Sequence, residues 1–149
     1  MQSWIALRLD ARLRRELGYP RRDGELAQPY TLPKEVPQHT LHLHLAFDSE
    51  IDFAGAQLAL EDAESVKIEM NGKPVPSVVT GYFTDRSIKT VALPPIEKGE
   101  NRITLHLPYG KRTNVEWCYV LGAFGVRVAG TQKTVTPLPE KLAFADVTM

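Results

Sequence analysis

The spacing of apolar residues along the chain changes once, from helical to alternating. Ile5, Leu9, Leu13 and Leu17 recur at every fourth position with no Gly or Pro between them, which predicts an amphipathic helix over 4–17. Ser3 stands where an N-cap would, and Gly18 followed by Tyr19-Pro20 is a stop signal. The stretch 21–38 turns polar and carries Pro29, Pro33 and Pro37, each lacking a backbone donor, so it reads as an extended connector over a surface. Beyond Gln38 the period is two. Leu41, Leu43, Leu45 and Phe47 alternate with His42, His44 and Ala46, the mark of a half-buried strand. Leu58 and Leu60 open a second strand. Val66, Ile68 and Met70 alternate with Lys67 and Glu69 and run into Asn71-Gly72, a pair suited to the positive φ angles of a tight hairpin. The return over 73–79 contains Pro74 and Pro76, which puts it at an edge or a bulge, because a central strand needs the donors proline lacks. Further strands are predicted at 88–93, 101–107, 115–121, 123–128 and 132–135.

Short strands with Gly, Pro and Asn punctuation predict an all-β two-sheet sandwich or a barrel. Period-two alternation assigns Leu41, Leu43, Leu45, Ile68, Ile103, Leu105 and Leu107 to the shared core. The chain divides into a helix (1–20), a connector (21–38) and a β domain (39–149). The helix's apolar stripe predicts packing on the sandwich or on a missing neighbour. Segment 142–149 has the apolar content of a further strand, and with the unpartnered helix it suggests a domain cut from a larger protein.

Composition narrows the function. At 149 residues the chain is long enough for one core, and 43% hydrophobic residues make it globular. Its 18 basic and 18 acidic side chains cancel, which gives no electrostatic case for nucleic acid or an anionic membrane. The N-terminal arginines 8, 12, 14, 15, 21 and 22 are diluted by Asp10, Glu16 and Asp23 and read as a solvated helix face. Cys118, the single cysteine, has no disulfide partner within the chain. No bilayer-length apolar run or basic-then-apolar leader occurs, which leaves the cytoplasm as the default location.

The order of several motifs is familiar. Val66-Lys-Ile-Glu-Met-Asn-Gly-Lys-Pro-Val75, then Gly81-Tyr82-Phe83, Asp85 and Lys98-Gly-Glu-Asn-Arg-Ile-Thr-Leu105 resembles the sugar-binding, galactose-binding-like jelly-roll domain of family 2 glycoside hydrolases and related bacterial glycosidase-like proteins. Trp117-Cys-Tyr-Val-Leu-Gly-Ala-Phe-Gly-Val126 is similar to a segment of uncharacterised members, although these typically carry an acidic residue at the place of Ala123. The resemblance spans roughly residues 39–129. It implies a jelly-roll β-sandwich with one N-terminal helix, acting as a non-catalytic accessory module that positions other domains of a parent chain and optionally touches a glycan. It implies no cofactor and no catalytic residue, since catalytic carboxylates in such enzymes lie in a separate barrel. The alternative from another class is a purely structural or protein-interaction sandwich.

Candidate chemistry is sparse. Tyr82, Tyr109, Trp117 and Tyr119 fall in or beside loops and strand ends, where rings can stack on sugars while Asp85, Arg86, Asn114 or Glu116 bind hydroxyls. Tyr82 and Tyr109, near turns, are the better contacts; Trp117, Tyr119 and Leu121 share one face that also suits core packing. His42, His44 and His106 share outward parity, and their convergence would suit zinc. The acidic residues Asp48, Glu50, Asp52, Glu61, Asp62 and Glu64 lack calcium-loop spacing and read as a solvated surface. Cys118 reads as a packed small residue, and no hydrolase, zinc-protease or phosphate-loop motif occurs.

Overall fold

A computed structural model of the chain describes residues 3–20, 36–113 and 115–140. The predicted connector up to residue 35, the segment 142–149 and Asn114 lie outside the described residues. In chain order the elements are helix α1 (Ser3–Glu16) and strands β1 (His39–Ser49), β2 (Gln57–Glu61), β3 (Lys67–Met70), β4 (Lys73–Val75), β5 (Val79–Phe83), β6 (Asp85–Ala92), β7 (Gly99–Tyr109), β8 (Tyr119–Leu121), β9 (Gly125–Ala129) and β10 (Gln132–Thr136). A short 3-10 turn, Ala63–Ser65, joins β2 to β3. The strands form a six-stranded sheet, β4-β3-β7-β1-β10-β9, and a four-stranded sheet, β5-β6-β2-β8. Every pairing is antiparallel except the β1–β10 contact at Asp48–Thr134 and Ser49–Val135. The architecture is an all-β sandwich with one helix.

The spine is the β1–β7 ladder, unbroken from His39–Tyr109 to Ser49–Gly99. Its inward residues meet those of β3, where Ile68 faces Leu105 and Met70 faces Ile103. Leu58, Leu60 and Val91 of the second sheet close the core from the other side. Ile68, Ile103 and Leu105 are buried, as their alternation predicts. Leu41, Leu43, Leu45 and Leu107 lie on the same inward face but are only half-buried. Four strands cannot roof six, so the β1-to-β9 flank is incompletely covered and leaves Val126 and Val128 exposed on the edge strand β9.

Asn71 and Gly72 both hold positive φ, 51° and 76°, and turn β3 into β4. β4 is an edge strand, which suits Pro74. The expected single return over 73–79 is in fact two strands. The chain leaves the first sheet after Val75, Ser77 Oγ donates to Val66 O at 2.6 Å, and Val79 opens β5 in the second sheet. Sequence periodicity missed β5 because Gly81 reads as a turn and register shifts flank the strand at Val79/Gly81 and Tyr82/Phe83. The predicted strand 115–121 shortens to β8, since residues 115–118 have no ladder partner.

One buried polar residue ties the hairpin to the spine. Asn101 of β7 accepts at Oδ1 from Glu97 N (3.1 Å) and Asn71 Nδ2 (3.2 Å), and its Nδ2 donates to Glu97 O (2.6 Å) and Gly99 O (3.1 Å). Asn71 Oδ1 in turn accepts from Arg102 N at 2.8 Å. The Asn-Gly hairpin and the Gly-x-Asn turn are thus two halves of one hydrogen-bonded junction.

Helix α1 ends in a Schellman motif: Gly18 adopts φ 69°, Gly18 N donates to Arg15 O and Tyr19 N to Arg14 O. From residue 8 onward its most buried side chains are not the leucines. Leu9, Leu13 and Leu17 are half-buried, whereas Asp10 and Arg14, one turn apart, are buried and paired at 2.9 Å. Arg14 also donates to Lys111 O (2.8 Å) and Thr113 O (3.1 Å), and Tyr109 Oη donates to Asp10 at 3.0 Å. The helix is therefore anchored to the sandwich by a charged pair beside the expected apolar stripe, with Tyr19 stacked on Tyr109 at 6.1 Å.

Two outcomes test this packing. Leu105→Ala should cost about 2–5 kcal/mol in denaturant unfolding and Leu43→Ala distinctly less, because Leu43 keeps solvent contact. Tyr109→Phe, which strips a donor from buried Asp10, should cost roughly 1–3 kcal/mol and speed amide exchange in α1 before it affects β7.

Candidate functional site

The outward face of the four-stranded sheet follows from its register. Leu58, Val91, Val120 and Val79 point into the core, so their neighbours Ala59, Thr90 and Tyr119 point away from it. Ala59 and Thr90 sit opposite each other at the centre of this face and are nevertheless buried. Tyr119 flanks Ala59 on one side. On the other, Thr80 Oγ1 donates to Thr90 O and Gln57 Nε2 donates to Thr80 Oγ1. Gly81 is opposite Thr90, and a Cβ there would come within 3.3 Å of the Thr90 hydroxyl. Small residues thus make the middle of the face a trough.

Aromatic rings lean over that trough from the margins. Phe83, at the end of edge strand β5, and Tyr119, on edge strand β8, have ring centroids 5.7 Å apart at 51° although two strands separate them in the sheet. They remain 37% and 42% exposed, and Trp117, two residues before Tyr119, is 36% exposed. These rings present an aromatic surface with edges and faces still in water, the chemistry suited to stacking on the apolar face of a sugar ring.

The candidates from sequence distribute unevenly about this surface. Trp117, two residues before Tyr119, is exposed, against the expectation of burial. Tyr82 is 60% exposed at the margin, opposite Lys89. Asp85 opens β6 beside Phe83, and its Oδ1 accepts from Ser87 N and Ser87 Oγ, both at 2.8 Å; these bonds hold its pKa below the ordinary value. Arg86 follows it, exposed. Tyr109 does not belong: it is buried, with its hydroxyl turned to Asp10 beneath the helix, so it offers no surface to a ligand. Sequence reading missed Phe83, which stood in a segment taken for a turn, and set core packing beside sugar stacking for Tyr119. The signal available for Tyr119 was its shared parity with Trp117 on a strand whose alternate residues, Cys118 and Val120, are apolar.

Electrostatics on the same end of the sheet are acidic. β2 runs antiparallel to both β6 and β8, so its C-terminal Glu61 and Asp62 adjoin Asp85 and the lead-in residue Glu116. Partial burial, then repulsion from Glu116, Asp62 and Asp85, raises the Glu61 pKa. The other acidic residues noted in the sequence are dispersed in local pairs: Asp48 with Gln132, Glu50 with Arg127, Asp52 with the backbone of Lys98, and Glu64 with Lys89.

On the opposite sheet His42 and His106 face each other across β1 and β7, rings 4.6 Å apart, and His106 Nε2 lies 3.2 Å from Glu69 Oε1. His44 Nδ1 is instead 3.1 Å from Thr104 Oγ1. The three imidazoles do not converge, and among the described residues no group of three His, Cys, Asp or Glu is placed to hold a metal ion. Burial pushes the Cys118 thiol up to about 11, which leaves it a poor nucleophile. No helix among the described residues is long and apolar enough to cross a membrane.

Compared with protein-family models, with curated proteins and with solved structures, the chain matches none.

The Glu61 shift has a testable sign. A carboxyl raised in the folded state binds its proton more tightly there than when unfolded, so its contribution favours folding at low pH and is lost as pH climbs from the ordinary carboxylate value through the raised one. Glu61→Gln should therefore raise the melting temperature at neutral pH, with the gain fading as the solution is acidified below the carboxylate range. Parallel thermal melts of the two proteins across pH measure it.

Proposed function

We propose that this chain is a non-catalytic, carbohydrate-contacting module of a larger glycoside-hydrolase-like protein, built as a jelly roll of the galactose-binding-like kind. The observation that carries this reading is the exposed Phe83–Tyr119 pair, with exposed Trp117 two residues away in sequence, over a floor kept low by Ala59, Gly81 and Thr90. Exposed aromatic side chains that meet on a sheet face are a feature of surfaces that take a partner. The Asn71–Asn101 junction lends support of another kind, because it gives the motif order that suggested the family a structural reason to occur together. Its residues stabilise the sandwich and are not offered as ligand contacts.

In this role the module docks a glycan by stacking, with Gln57, Thr80 and Arg86 within the same face or its rim to exchange hydrogen bonds with hydroxyls. Water competes for each such bond, so affinity is weak. The second reading, a protein-interaction sandwich without a sugar ligand, is favoured by a different region. Val126 and Val128 lie exposed at the uncovered flank of the larger sheet, a surface suited to another domain of the parent chain.

NMR titration with neutral monosaccharides and short oligosaccharides separates the two. Saturable shifts at Phe83, Trp117 and Tyr119, with a dissociation constant nearer ~1 mM than ~1 µM and abolished in Tyr119→Ala, are the expected outcome. A full panel without saturable shifts would leave only the protein-interaction reading.

A further inference from the structure

The charge around the aromatic face selects among glycans, an inference that rests on the carbohydrate reading above. Four carboxylates gather at the end of the sheet that carries Phe83 and Trp117. Glu61 and Asp62 close β2, Asp85 opens β6, and Glu116 immediately precedes Trp117. The antiparallel pairing of β2 with β6 and with β8 brings these segments side by side. Of the two cations in β6, Lys89 pairs with Glu64 outside the cluster, and among the described residues Arg86 makes no ion pair with any of the four.

Three other carboxylates of the sandwich each meet a lysine or arginine. Glu50 meets Arg127 at 2.6 Å, Glu100 meets Arg102 at 3.2 Å and Glu64 meets Lys89 at 3.3 Å. Glu61, Asp62 and Glu116 have no cation within ion-pairing distance among the described residues. Asp85 is held by the Ser87 amide and hydroxyl, which carry no charge. Among the described residues the cluster is therefore a local excess of negative charge, and Glu61 registers it as repulsion from the other three. Aromatic rings add to it, since the faces of Trp117 and Tyr119 carry negative π density that attracts an ammonium. A ring-shaped ligand with positive charge on its rim matches this surface in shape and in sign. A polyuronate would match only in shape and would meet like charge.

We infer that the glycan held by the Phe83–Trp117–Tyr119 face carries protonated amino groups, as hexosamine units with free amines do, with the sugar ring on the aromatics and the ammonium beside Glu61 and Glu116. The contact is non-covalent and leaves the sugar unchanged.

The test uses the full chain at low ionic strength and four probes: a glucosamine oligomer, the N-acetylglucosamine oligomer of equal length, a galacturonate oligomer and an oligolysine peptide. The glucosamine oligomer should bind about fivefold more tightly than its acetylated counterpart, the size expected of one or two exposed ion pairs, and the advantage should shrink with added salt. Galacturonate should give no saturable shift. The double variant Glu61→Gln/Glu116→Gln should lose the preference while keeping its fold and its affinity for the acetylated oligomer. Equal binding of the two hexosamine oligomers would overturn the inference and leave the carbohydrate reading standing. Oligolysine binding as tightly, with the same shifts, would overturn it in favour of a basic protein segment. Silence from every sugar would remove both the inference and the reading beneath it.

Discussion

Asn101 is the residue on which the first sheet's geometry depends. It is sealed from solvent, and a buried amide left without partners costs about 1–3 kcal/mol for each group stranded. Its hydrogen bonds are satisfied only when the turn at Glu97–Gly99 and the hairpin residue Asn71 occupy their present positions. A slip of one residue between β3 and β7 would strand these bonds and turn Ile103 and Leu105 out of the core at the same time. Polar and apolar requirements thus enforce one register. From that register the β1–β7 ladder follows, and with it the frame on which the second sheet rests.

The second sheet is smaller, and its inequality with the first shapes both exposed regions of interest. On its inner side it covers the β3–β7 centre well and the β9 flank poorly. On its outer side the central residues are small, so side chains from the two margins can reach each other over Ala59 and Thr90. A Leu or Val in place of Ala59 would fill that space and hold the rings apart. Local sequence choice at three floor positions therefore decides whether this sheet presents a ridge or a trough, and the aromatic pair exists only because it is a trough.

Much of this was legible in the residues. The alternation of β1, β3 and β7 gave the sheet faces, Asn71-Gly72 gave the hairpin, and Pro74 gave the edge. What periodicity could not supply was which strands belong to which sheet. The passage from β4 to β5 crosses between sheets within three residues, and a bulged strand containing Gly81 carries no clean period. Phe83 and Tyr119 lie 36 positions apart on non-adjacent strands, so their meeting is a property of sheet order and curvature that no local pattern encodes. Tyr109 shows the reverse limit. Its place near a turn suggested exposure, whereas a charged pair on a helix almost a hundred residues away, Asp10 and Arg14, drew it inward.

The parallel contact between β1 and β10 has a consequence for how the protein is made. β10, the last strand among the described residues, sits between β1 and β9, and it binds the end of β1 at Asp48 and Ser49 while Glu50 N donates to Val135 O. During synthesis that end of β1 is an unpaired edge until Gln132–Thr136 has cleared the ribosome, by which time most other pairs of the sheet already exist. Among the described strands β9 pairs with β10 alone. The long separation in sequence makes closure of the sheet a slow, late step, because the entropy of a large loop is lost before any contact repays it. The nascent chain thus carries the end of β1 as a bare strand edge through the synthesis of β2 to β9, the kind of surface that a chaperone or a neighbouring domain shields.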